Sequence, residues 1–121
     1  GAGQLAEILA KEGYTTELVD IHNTPGILHL KSGLSYLGDD TLAVIDALAD
    51  NPALRNNKLL RVPPGEEYAA NCVRVNDYVL TAAGFPGFHQ MLESAGFHPL
   101  LIEMSEFQKM DGGLSCLSLR F

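Results

Sequence analysis

Two stretches of this chain repeat each other, in the same order, and that echo constrains the fold more than any other feature. Leu9 to Ile21 reads LAKEGYTTELVDI, and Leu92 to Met104 reads LESAGFHPLLIEM. Each has a helix-type pattern stopped by a glycine and an aromatic residue. An apolar run follows in each, closed by an acid and an aliphatic residue. Farther along, SGLSYL (Ser32 to Leu37) matches GGLSCL (Gly112 to Leu117). The first pair is offset by 83 residues (96 minus 13) and the second by 80 (112 minus 32), so the connection differs by three. Two copies of helix, strand, loop and strand predict a repeated α/β module. A chain of 121 residues suits a single domain, residues 1–121.

The rest of the chain reads as short strands between strong turn signals. Leu5, Ile8 and Leu9 fall at helical spacing, and Gly13 stops the run. Pro86 opens a second helix through Ala95, and Gly96 ends it. Asp46 to Leu54 is weakly helical and interrupted by Pro52. Strands are expected near Glu17–Ile21, Ile27–Leu30, Leu34–Leu37, Leu42–Ile45 and Leu59–Val62. Others are expected at Asn71–Val75 and Tyr78–Ala82, a hairpin about Asn76-Asp77, then at Pro99–Met104 and Leu114–Leu119.

Composition narrows the partners. At 46% hydrophobic and 19% charged, the chain is globular in character. A net charge of -7 argues against a nucleic-acid partner, which needs a basic patch, and suits a small cationic ligand. No apolar run reaches membrane-spanning length, and no signal peptide is visible in GAGQLAEILAKEG. Cys72 and Cys116 lack CxxC spacing, which is expected of reduced thiols in a cytoplasmic protein. The four histidines form no metal-ligand spacing, so no metal or other cofactor is expected.

Two residues are candidates for chemistry. In ILHL, strand alternation sets His29 on the face opposite Leu28 and Leu30. It is either a satisfied strand histidine or a working base. In LSCLSLRF, alternation puts Leu114, Cys116 and Ser118 on one face, more polar than the face of Leu117 and Leu119. Gly112-Gly113 just before it allows close approach of a ligand. Cys116 is therefore either a packed residue or a nucleophile, which would need a base close in space. His29 and Cys116 sit in the two copies of the repeat. A pseudo-symmetric fold would bring such segments to one axis. Cys72, within the apolar ANCVRV, reads as structural.

LHLKSGLSYL, EEYAANCVRVN and KMDGGLSCLSLRF together resemble the C-terminal half of the dimethylarginine dimethylaminohydrolases, within the guanidino-group-modifying superfamily. GQLAEILAKEGY also resembles its counterpart there, so the likeness runs along the whole chain. The resemblance implies a partial pentein, about half of a propeller-like ring of ββαβ modules. It implies that Cys116 attacks the guanidinium carbon, while His29 protonates the leaving amine and then activates water. A covalent thiouronium would hydrolyse to citrulline plus methylamine. Met110 matches a position whose backbone contacts substrate, and Asp111 lies beside it as a second substrate-binding candidate. The family also uses acidic residues and arginines from its N-terminal half, and no residue here matches those positions. Pairing with such a half, or self-association, is the expectation that follows. Two alternatives share this pattern: a truncated, non-catalytic binding or assembly module, and a relative of the arginine deiminases or amidinotransferases.

Overall fold

The two repeat copies end their helices with the same hydrogen bonds. Tyr14 N–H donates to the Leu9 carbonyl at 3.0 Å, and Phe97 N–H to the Leu92 carbonyl at 2.9 Å. Between them Gly13 and Gly96 adopt φ of 82° and 87°, which favour glycine because a Cβ would crowd the backbone. The 83-residue echo is therefore a structural repeat at the level of single bonds.

The computed structural model describes residues 1–119. Helix α1 (Ala2–Lys11) leads to a short helix α2 (Leu30–Gly33), then strands β1 (Leu34–Gly38) and β2 (Thr41–Val44). A short helix α3 (Asp46–Ala49) and a 3-10 turn at Pro52–Leu54 cross over to β3 (Lys58–Arg61). A second 3-10 turn, Glu67–Ala70, precedes β4 (Val73–Val75), β5 (Tyr78–Ala82), α4 (Pro86–Ser94), β6 (His98–Ile102) and α5 (Ser105–Gln108). Each sheet has three strands, in the orders β1-β2-β3 and β4-β5-β6. In each, the first pair is antiparallel and the second parallel. These are two ββαβ modules, an α/β architecture built from the unit that the family resemblance implies.

The middle strands carry the core. Thr41 to Val44 are all buried, as a strand covered on both faces must be, and Val79, Thr81 and Ala82 are equally enclosed. Phe88 and Leu92 close α4 over the second sheet at 0% exposure. The modules are joined where β1 meets β4. Cys72 N–H donates to Ser35 Oγ at 3.2 Å, and Arg74 donates to the Leu37 carbonyl. Arg74 also lies over the Phe97 ring, 5.6 Å from its centroid.

Three expected strands are absent, for one physical reason. Residues 17–21, 27–29 and 114–119 make no sheet ladder among the described residues. Strand-like alternation persists in the first of these: Val19 and Ile21 pack against the core while Leu18 and Asp20 face outward. A strand also needs a neighbour to take its backbone hydrogen bonds. Leu30, expected to end a strand, opens α2 instead. Residues 114–117 curl into a turn, with Cys116 N–H and Leu117 N–H both donating to the Gly113 carbonyl at 3.0 and 3.1 Å. The face shared by Leu114, Cys116 and Ser118, and the alternation about His29, therefore do not exist as read. Arg120 and Phe121, the end of the LSCLSLRF pattern, lie outside the described residues.

Apolar surface remains uncovered at both ends. Helix α1 buries no residue, and Leu5, Ile8, Tyr14 and Leu18 are all more than half exposed. Leu100, Leu101 and Phe107 are half exposed around β6 and α5. Among the described residues no helix is long and apolar enough to cross a membrane.

Candidate active site at His29 and Cys116

His29 and Cys116 are separated by 87 residues and meet in space, with Nε2 3.7 Å from Sγ. Each is placed by a tight backbone feature rather than a strand. His29 is the residue before α2, with φ -151° and ψ 163°, and its carbonyl accepts from Ser32 N–H at 2.9 Å. Helix α2 is bolted down behind it, because Ile45 N–H donates to the Gly33 carbonyl at 2.9 Å. Cys116 sits in the turn after Gly113, and both side chains reach solvent.

The loop that presents Cys116 is gripped by the turn at residues 67–71. Tyr68 OH donates to the Gly112 carbonyl at 2.6 Å. Asn71, buried to 6% exposure, accepts from Ser115 N–H through Oδ1 at 2.8 Å. That bond orients the amide, since a main-chain N–H can be met only by the oxygen. The NH2 group is left facing Cys116 Sγ, at 3.7 Å. Gly113 lies against this amide so closely that a Cβ would overlap it. The gripping turn is itself anchored, because the Glu66 carboxylate accepts from Gly87 N–H at 3.0 Å and Phe88 N–H at 2.6 Å. A carboxylate at the start of α4 suits the exposed N–H groups there.

The two cysteines differ in kind. Cys72 is 2% exposed, and burial pushes its thiol up to about 12, beyond useful reactivity at neutral pH. Cys116 is exposed, with an imidazole and an amide at its sulfur. Burial, and to a lesser extent the nearby Cys116, raises the Tyr68 phenol above its ordinary value, which keeps it a hydrogen-bond donor to Gly112.

A cleft of about 580 Å³ is lined by residues that grip the Cys116 loop, although neither His29 nor Cys116 itself lines it. Tyr68, Asn71 and Gly113 from the nucleophile loop's support line it, and so do Asp46, Glu67 and Asp111. Among the described residues its charged lining is acidic, with no lysine or arginine. Asp46 already meets Arg61 at 3.1 Å, whereas Glu67 accepts from Gly65 N–H at 3.0 Å, which lowers its carboxyl below the ordinary range. Asp111 adopts a positive φ of 57° and contributes to the cleft wall. The Met110 side chain is 85% exposed and is not part of that wall. Among the described residues, no three His, Cys, Asp or Glu side chains are grouped to hold a metal.

No family model matches the chain. Individual proteins do. The N(G),N(G)-dimethylarginine dimethylaminohydrolase of Pseudomonas aeruginosa is 36% identical over all 121 residues, which cover 46% of that enzyme. The enzyme of the same name from Streptomyces coelicolor is 37% identical over 95 residues, 78% of this chain and 36% of the relative. The solved structure of a cysteine-to-serine mutant of the Pseudomonas enzyme, complexed with citrulline, superposes over the whole chain with a TM-score of 0.92. This chain is a homologue of the dimethylarginine dimethylaminohydrolases. It spans about half the length of the curated relatives it matches. Its two modules match about half the length of that pentein structure, the partial pentein that the resemblance implies. An amidinotransferase from Microseira wollei shares the fold at 19% identity, with a TM-score of 0.81 over 98% of the chain.

Neither Asn71 nor Tyr68 carries a chemical signal in the sequence pattern. Asn71 reads there as the first residue of a strand, whereas β4 starts two residues later. Their only sequence signal is their place in EEYAANCVRVN, one of the three stretches that carry the family resemblance.

Proposed function

We propose that this chain is the C-terminal, nucleophile-bearing half of a hydrolase acting on Nω-methylated arginine. The observation that carries this reading is the 3.7 Å approach of His29 Nε2 to Cys116 Sγ, made by residues 87 apart. Cys116, as thiolate, attacks the guanidinium carbon. The carbon–nitrogen bond to the methylated amine breaks, and the His29 imidazolium gives its proton to that amine. The carbon is left bonded to sulfur as a thiouronium. Water then adds to the carbon and yields a proton to His29, and the carbon–sulfur bond breaks to release citrulline. Thiolate and imidazolium are both restored. The acidic lining of the cleft, Asp111 included, supports a cationic substrate, and the family resemblance implies a further contact from the backbone of Met110 beside it.

The remainder of the site belongs to the other half of the ring. The exposed apolar faces of α1 and β6 favour such a partner, a second copy of this chain or the complementary half. Light scattering is expected to find an associated species, and a strictly monomeric one counts against pairing with a second copy. The catalytic reading is tested by incubating the protein with asymmetrically dimethylated arginine and measuring citrulline. Cys116→Ala is expected to lower the rate by roughly 10⁴-fold or more. Turnover that survives this change would remove Cys116 from the mechanism. If no citrulline forms with either protein, the reading falls back to a non-catalytic binding module.

A further inference from the structure

We propose that Asn71 is a positioning residue of the active site, which holds the nucleophile loop with its oxygen and directs an N–H donor at the Cys116 sulfur. The two jobs fall to the two ends of one amide. Oδ1 takes Ser115 N–H at 2.8 Å, and Nδ2 faces Sγ at 3.7 Å. An amide NH2 only donates, so the sulfur must accept, and it accepts better as a thiolate than as a thiol. Burial makes the arrangement rigid, since Asn71 is 6% exposed and Gly113 packs on its amide with no room for a Cβ. Asn71 also joins the modules. Its neighbour Cys72 donates N–H to Ser35 Oγ, and Ser35 is the repeat counterpart of Ser115. One dipeptide thus grips both copies of the repeated segment.

Other groups around the sulfur act differently. His29 faces Sγ from the α2 side, and Tyr68 stands on the same turn as Asn71. Asp111 lies earlier on the loop of Cys116. Of these, Tyr68 grips the loop through Gly112 without donating to the sulfur.

The inference rests on Cys116 being the nucleophile, but its test reads the thiol directly and needs no turnover. The rate of Cys116 alkylation by iodoacetamide would be measured against pH in the wild-type protein, N71D, N71A and Y68F. In N71D a carboxylate still accepts from Ser115 N–H, so the loop stays held, but the donor to sulfur becomes an anion. Its alkylation midpoint is expected to rise by about one pH unit, with roughly tenfold slower reaction below it. N71A is expected to match that rise and to melt at lower temperature. Y68F is expected to keep the wild-type midpoint. A wild-type midpoint in N71D, or an equal rise in Y68F, would overturn the proposal and leave Asn71 as a structural tie. A measurement on the unaltered chain guards against misfolded variants. The Asn71 side-chain amide protons should shift with the thiol's titration in an NMR pH series and stay flat in C116S, and a flat wild-type series also defeats the proposal.

Discussion

Leu9 and Leu92 hold the same place in the two copies of the repeat, yet only Leu92 is in the core. Both accept the same closing hydrogen bond from an aromatic residue five positions on. Leu92 has 0% exposure under the β4-β5-β6 sheet, while α1 around Leu9 has no buried residue at all. The strands that follow differ in the same way. β6 pairs with β5, whereas residues 17–21 lie on the core without a ladder. In the next segment the order reverses: Leu34–Gly38 is a built strand, and its counterpart around Cys116 is a turn. Like sequences take unlike structures here because a helix face or a strand edge is completed only by a neighbour. The uncompleted pieces are the ones beside the candidate site and the exposed apolar surface.

The largest effect is expected at the junction of the copies, at Cys72. Its thiol is pushed up to about 12 in the folded chain, so the native state keeps a proton that the unfolded state loses. Stability from this group is full below the unfolded value of 9.0 and falls as pH rises toward about 12. The loss amounts to roughly 4 kcal/mol over that range. Urea midpoints of wild type and C72A, taken at rising pH, should diverge in slope above about pH 9. Parallel slopes would mean that Cys72 is not held as a buried neutral thiol.

Next comes the leucine pair. L92A should cost about 3 kcal/mol, and L9A less than about 1 kcal/mol, in denaturant melts. Equal costs would break the comparison, because α1 would then be packed in solution. A rise in the cost of L9A on adding a complementary half would sharpen it.

The glycine pair gives a smaller effect on stability and a divided effect on the site. At Gly33 a Cβ meets the Ile45 Cδ1 tip at 2.8 Å, so G33A should cost about 1 to 2 kcal/mol as that side chain shifts. At Gly113 the obstacle is the pinned Asn71 amide. G113A should therefore slow Cys116 alkylation about tenfold or more at fixed pH, where G33A leaves it near wild type. Equal alkylation in the two variants would show that the loop does not depend on Asn71. The smallest free energies belong to the unpaired segment before α2. Amides of residues 17–21 should exchange nearly as fast as in an unfolded chain, while those of β6 are protected. Protection of both would reveal a ladder supplied by another copy.

The single-chain pattern determined those features that depend on near neighbours. The glycine stops at Gly13 and Gly96, the buried strands at Leu42–Val44 and Val79–Ala82, and a repeated α/β module were legible because backbone geometry and apolar periodicity are local. The motifs around His29 and Cys116 also marked the chemistry, through the family they resemble. The repeat already suggested that these two residues share one axis, but tertiary structure alone decided how closely they approach, that Cys116 rides a turn rather than a strand, and that Asn71 stands behind it. A hydrogen bond between residues 44 or 45 positions apart leaves no period in the sequence. Whether a strand-forming run becomes a strand depends on who accepts its N–H groups, and that partner is chosen only when the modules pack.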